Sequence, residues 1–208
     1  MDTSSSARPG AAFIRVEGVL LRRGTLGAAA WFAANKQGFS DRLWGIGAIA
    51  LAAPVYALLK QNDRTLANRV AWLPCRHMSE DRVQVLAEEY VENALRDKVL
   101  ARGLELVARA KADGCRVVLL TEQIAPIAVA LAQHLVGIDE TVSNALEFHD
   151  GIATGKLVEP IVGGHGGGRW ASEYAARHGL DLTRSLAYAS NGPDVTRQLP
   201  EASATRSW

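Results

Sequence analysis

Residues 12–17, Ala-Phe-Ile-Arg-Val-Glu, form a short apolar run after Pro9-Gly10 and ahead of Gly18. This pattern predicts a buried strand followed by a turn. A second continuous apolar run, residues 116–120, lies between Gly114 and Thr121 and suits a parallel strand covered on both faces. Ahead of it, Leu100, Leu104, Val107 and Ala108 recur at i, i+4, i+7 and i+8, so residues 97–112 read as an amphipathic helix. The pattern then predicts a helix over 125–135, a shorter strand over 141–146 and a turn-linked extended segment over 151–162. A glycine-rich loop over 163–168, a helix over 169–178 and a strand over 185–189 complete the series. Helices alternating with apolar strands predict an α/β domain with a mostly parallel sheet joined by right-handed crossovers.

Between the first strand and residue 97 the pattern changes. Residues 26–34 and 43–59 contain no charge, and residues 79–95 read as a helix opened by Ser79-Glu80-Asp81. An all-helical insertion after the first strand is therefore expected. The run over 43–59 is 17 residues long, near the lower limit for crossing a bilayer, and it contains Gly45, Gly47 and Pro54. It reads as a buried helix or an oligomer contact, with membrane association through residues 26–59 as the alternative. The expected organisation is an α/β core from residues 11–24 and 97–208, a helical cap over 25–96, and a flexible N-terminus over 1–10.

Composition narrows the function. Lys plus Arg number 23 against 22 for Asp plus Glu, so net charge gives no case for nucleic acid or an anionic membrane as the main partner. Two cysteines, Cys75 and Cys115, and a polar Ser-rich start without an apolar segment fit a cytoplasmic protein. His77, His134, His149, His165 and His178 show no zinc-ligand spacing. The glycine loop around His165 lacks the G-x-x-x-x-G-K-[ST] order of a phosphate loop, and Ser143 and Ser190 lack a G-x-S-x-G setting. Trp31 and Trp44 lie in the apolar insertion, where they serve packing or an interface.

Several segments, taken in order, resemble the haloacid dehalogenase superfamily, in the branch of phosphoserine phosphatase. Arg15-Val16-Glu17-Gly18-Val19-Leu20 stands where the family has D-x-D-G-T-L, and Thr121 closes an apolar strand as the family's Ser or Thr does. Arg169 stands where a Lys is expected. Ala187-Tyr188-Ala189-Ser190-Asn191-Gly192-Pro193-Asp194 matches a closing motif of the form A-Y-x-D-S-x-x-D. Asp150-Gly151-Ile152-Ala153-Thr154-Gly155 resembles this branch's D-G-x-x-T-G hairpin. The resemblance spans about residues 11 to 200 and implies a Rossmann-like core with a helical cap.

It also implies which chemistry is altered. The family's first Asp attacks phosphorus and forms an aspartyl phosphate. Arg15 holds that position, and a guanidinium has no lone pair to offer as a nucleophile. Glu17 keeps the second carboxylate but moves it by one methylene, which impairs general acid–base transfer. The family's Mg²⁺ ligands at the first and closing motifs become Arg15 and Ser190, so weak or lost Mg²⁺ binding is expected, with no metal in its place. Arg15 is expected to replace the metal's charge by pairing with Asp194 or Glu17. Thr121, Arg169 and Arg15 remain as groups for a phosphate or other anion. The resulting expectation is a pseudophosphatase that binds a protein partner or a second copy through its cap, or a phosphorylated small molecule. The alternative is an active Mg²⁺-dependent phosphomonoesterase with atypical residues.

Overall fold

A computed structural model describes residues 9–22, 24–36, 38–163, 167–188 and 196–198. Strand β1 (Ala11–Arg15) is buried along its whole length because parallel neighbours flank it on both edges. These are β2 (Arg116–Ile124) and β5 (Leu186–Tyr188). Strand β3 (Glu140–His149) pairs parallel to β2, and β4 (Ile152–Val158) returns antiparallel to β3. With β6 (Thr196–Gln198) antiparallel to β5, the sheet order is β4-β3-β2-β1-β5-β6. The expected α/β architecture with a mostly parallel sheet is present.

Alternation along the central strands divides the core. Ala12, Ile14, Val117 and Leu119 face the larger apolar cluster, which extends into the helical insertion. Ala11, Phe13 and Val118 face the other side, where Tyr174 and Ala175 of α7 (Gly167–His178) and Leu180 cover them. The Phe13 and Tyr174 rings meet edge to face at 5.9 Å. Helix α7 begins inside the glycine cluster, so Gly167 and Gly168 are helical where the sequence predicted loop.

Among the described residues, four α-helices lie between β1 and the next core helix, as expected of the insertion: α1 (Thr25–Ala34), α2 (Phe39–Asn62), α3 (Arg64–Trp72) and α4 (Glu80–Tyr90). Ser79 caps α4 by accepting from Arg82 N, and Asp63 caps α3 by accepting from Leu66 N. Phe32 and Trp72 meet edge to face at 5.9 Å, and Trp31 packs on Tyr90. Helix α1 is thus a core element, while α2 joins the core only along one side, through Tyr56: Trp44 and Leu51 are 80% and 79% exposed.

Helix α5 (Ala101–Ala112) starts later than expected and buries a different face. Gly103, Val107 and Ala110 point inward, whereas Leu104 is exposed. The reason is steric. A Cβ at residue 103 would lie 2.7 Å from Val19 O, so the helix turns its glycine toward the loop after β1. Helix α6 (Ala125–Gln133) follows β2 directly.

The β3–β4 hairpin turns on Asp150 (φ 49°) and Gly151 (φ 73°), with His149 and Ile152 paired across it. Two successive left-handed residues make the tight turn that matches strand twist. Its far edge reaches the insertion: His77 N donates to Ala153 O, Ala153 N to Met78 O, and Glu80 N to Gly151 O.

Candidate active site at the carboxyl end of the first strand

In an open α/β sheet, ligands bind beyond the carboxyl ends of the strands, where chain order reverses. Here that place is the end of β1, between β2 and β5. Arg15 is its last residue, and the left-handed Gly18 (φ 90°) turns the chain, with Leu20 N and Leu21 N both donating to Val16 O. Arg15, Glu17 and Thr121 are all buried there.

The sequence expectation for Arg15 needs correction. Its Nη2 donates to Glu122 Oε1 at 2.6 Å rather than to Glu17, and Asp194 lies outside the described residues. Strand β2 does not end at Thr121 but continues to Ile124. Arg15 is in register with Leu120, so alternation places Glu122 on the same face two residues further along. The register with β3 shifts between Leu120 and Ile124, an irregularity at the edge of the site.

Glu122 is shared. Arg64, the first residue of α3, donates from its own Nη2 to the same Oε1, so a helix of the insertion contacts the core site directly. The Glu122 side chain is 2% exposed, against 9% for Arg15 and 24% for Arg64. Two guanidiniums therefore converge on one buried carboxylate. Behind it runs a polar relay: Asn144 Nδ2 donates to Glu122 O, Val162 N to Asn144 Oδ1, and Asn68 Nδ2 of α3 to Val162 O. Gly163 (φ 99°) closes the relay, and a Cβ there would lie 3.0 Å from Asn68 Nδ2 and 3.1 Å from Glu122 Oε1.

Glu17 occupies the other half of the site. Its Oε1 accepts from Thr121 Oγ1 at 2.6 Å and from Glu122 N at 3.1 Å, while the buried Oε2 has no hydrogen-bond partner. Burial is the main cause that pushes its carboxyl above the usual range, with the Glu122 charge adding to it. The Thr121 hydroxyl and Arg15 oppose the shift. Thr121 is placed by Gln123 N, which donates back to its Oγ1.

The structure thus brings Arg15, Glu17 and Thr121 together. Arg169 lies in the first turn of α7, where only its backbone is described, and Ser190 lies outside the described residues. Sequence reasoning missed Glu122, Arg64, Asn68 and Asn144. One signal was available, since Thr-Glu-Gln continues an apolar strand toward Ile124 and Ala125-Pro126.

These donors do not fit Mg²⁺. Arg15 puts a cation at the end of β1, and the near oxygen of Glu122 already carries two guanidiniums. Among the described residues, no group of three or more His, Cys, Asp or Glu side chains is arranged to hold a metal ion.

Comparison with known proteins agrees with this architecture. Phosphoserine phosphatase SerB1 of Mycobacterium tuberculosis is 29% identical over 154 residues, covering 72% of this chain and 49% of that protein. The chain spans about half the length of the curated relatives it matches. A Bordetella pertussis protein of unknown function superposes with a TM-score of 0.70 at 16% identity, covering 88% of this chain and 81% of its own. A phospho-aspartyl intermediate analogue of phosphoserine phosphatase superposes with a TM-score of 0.59 at 14% identity, over 86% and 77% of the two chains. These two likenesses are of fold. The model of the haloacid dehalogenase-like hydrolases matches residues 19–194, from the turn after β1 through the insertion and β2 to the closing motif. The chain belongs to that family.

Proposed function

We propose that this protein is a member of the haloacid dehalogenase-like hydrolases that does not hydrolyse phosphate through an aspartyl phosphate, and that its site binds rather than turns over. The observation that carries this reading is the buried Arg15–Glu122 ion pair at the end of β1. A guanidinium there supplies no attacking oxygen and disfavours a divalent cation beside it. Two guanidiniums share the single carboxylate of Glu122. This balance leaves positive charge for an anion such as inorganic phosphate or a phosphate monoester, with the Thr121 hydroxyl and Arg169 as further contacts. A protein partner or second copy on the helical insertion belongs to the same reading.

A second reading, an active phosphomonoesterase, draws on a relative named phosphoserine phosphatase and on Glu17 Oε2, a carboxylate oxygen left without a partner. In that case Glu17 would serve as general base toward water.

The deciding experiment is p-nitrophenyl phosphate hydrolysis with and without Mg²⁺, beside isothermal titration of inorganic phosphate. Phosphate binding without turnover above background supports the first reading. Mg²⁺-dependent turnover that Glu17→Gln abolishes overturns it and establishes the second.

A further inference from the structure

Helix α2 has two unlike sides. Its inner side packs on α1 and α3: Tyr56 is buried, and a Cβ at Gly45 would lie 3.0 Å from Ala33 O. Its outer side carries Leu43, Trp44, Ile46, Leu51, Val55 and Leu58, all exposed, with Gly47, Ala50 and Pro54 completing the sequence of the stripe. No outward position from 43 to 58 has a charged or hydrogen-bonding group other than the Trp44 indole. At 1.5 Å per residue this stripe is about 24 Å long. Among the described residues, Arg42–Leu59 is the one window long and apolar enough to cross a bilayer, with mean hydropathy 1.6 and only 11% of it buried. A core helix passing the same composition test would be mostly buried.

We propose that the outer face of α2 is a monotopic membrane-docking surface that seats the protein on a bilayer containing anionic lipid, with the helix lying in the interface. Because its inner face is fixed to α1 and α3, the helix docks in place rather than spanning the bilayer. Contiguous apolar surface of this extent is uncommon on a monomer unless something covers it.

Charge selects lipid over a second copy. The whole chain is near neutral, but residues 36–60 hold Lys36, Arg42 and Lys60 against Asp41 alone. Arg42 precedes the stripe and Lys60 follows it. In a parallel pair Arg42 would meet its own copy as a like charge. Anionic headgroups complement both ends. A protein interface also needs about one hydrogen bond per 100–200 Å² and a polar rim, which this stripe does not supply, whereas acyl chains need neither. Trp44, beside Arg42, has the amphipathic ring enriched at the headgroup boundary. This inference is independent of the reading of the Arg15 site.

The test is flotation of the full chain with vesicles of phosphatidylcholine alone and of phosphatidylcholine with phosphatidylglycerol. The wild type should float with the mixed vesicles, more than with phosphatidylcholine alone. Leu51→Glu with Leu58→Glu should lower partitioning at least about tenfold while keeping the circular dichroism of the wild type. Brominated lipid should quench tryptophan emission in the wild type and much less in Trp44→Phe, a check that leaves the stripe's leucines intact. Absence of flotation and quenching, or a stable solution dimer that Leu51→Glu splits while neither form floats, would overturn the proposal.

Discussion

Arg15 and Glu122 meet at 2.6 Å between the ends of neighbouring strands, with the guanidinium donating to a carboxylate oxygen that also accepts from Arg64. The pair joins the first strand to the second, and Arg64 extends it into the helical insertion. Burying such charges is costly unless each finds a partner, so the parts of this cluster depend on one another unequally.

That inequality is measurable. Glu122→Gln leaves Arg15 and Arg64 without a counter-charge and should cost about 3–5 kcal/mol of unfolding free energy in urea. Arg64→Met should cost much less, since Arg64 is a quarter exposed and Glu122 keeps Arg15. Equal losses in the two variants would show that Glu122 is not the centre of the cluster.

The pH dependence of stability tests Glu17. Its folded carboxyl is held above the usual glutamate range by burial, so the folded state holds this proton more tightly than the unfolded state. By linkage, this group's contribution to stability is highest in acid. It falls as pH rises through the unfolded value and levels off above the folded one. Glu17→Gln removes that fall, so urea midpoints measured from pH 4 to pH 8 should show the variant gaining on the wild type as pH rises. A constant difference across the range would refute the assignment.

Two left-handed glycines separate steric from conformational cost. At Gly151 (φ 73°) a Cβ would meet nothing within 4 Å, so Gly151→Ala should cost about 1–2 kcal/mol from backbone conformation alone. At Gly163 (φ 99°) the same change also presses on Asn68 and Glu122. Gly163→Ala should therefore lose more in thermal unfolding, and amide exchange in α3 should quicken.

Asn144→Ala interrupts the relay, leaving Glu122 O and Val162 N short of a partner. A loss of about 1–3 kcal/mol is expected. A double-mutant cycle with Asn68→Ala should give a coupling above about 0.5 kcal/mol, since both asparagines hold Val162. Strict additivity would mean that the relay does not act as a unit.

Local patterns revealed much of this molecule. The apolar runs at 12–17 and 116–120 located two central strands, and Ser79 marked the start of α4. Asp150-Gly151 marked the hairpin turn. Patterns failed where a neighbour overrode periodicity. Leu104 fits an apolar stripe, yet Gly103 faces inward because only a residue without a Cβ can approach Val19 O so closely. Helix α2 reads from composition as a buried helix or an oligomer contact, with membrane association as the alternative, and its outer face is exposed.

The sequence by itself determined the α/β alternation, the helical insertion after β1 and the presence of an arginine, Arg15, in the run that forms the first strand. These follow from side-chain periodicity, capping and residue identity, all of which act over a few positions. Only the tertiary structure decided what Arg15 does. Its partner is 107 positions away, and Arg64 reaches the same carboxylate across 58 positions. Strand register and the seating of α3 on the core create those contacts, and no local pattern encodes either. The same limit holds for α2, which carries no charge from residue 43 to 59 but whose covered and open sides were set by where α1 and α3 pack.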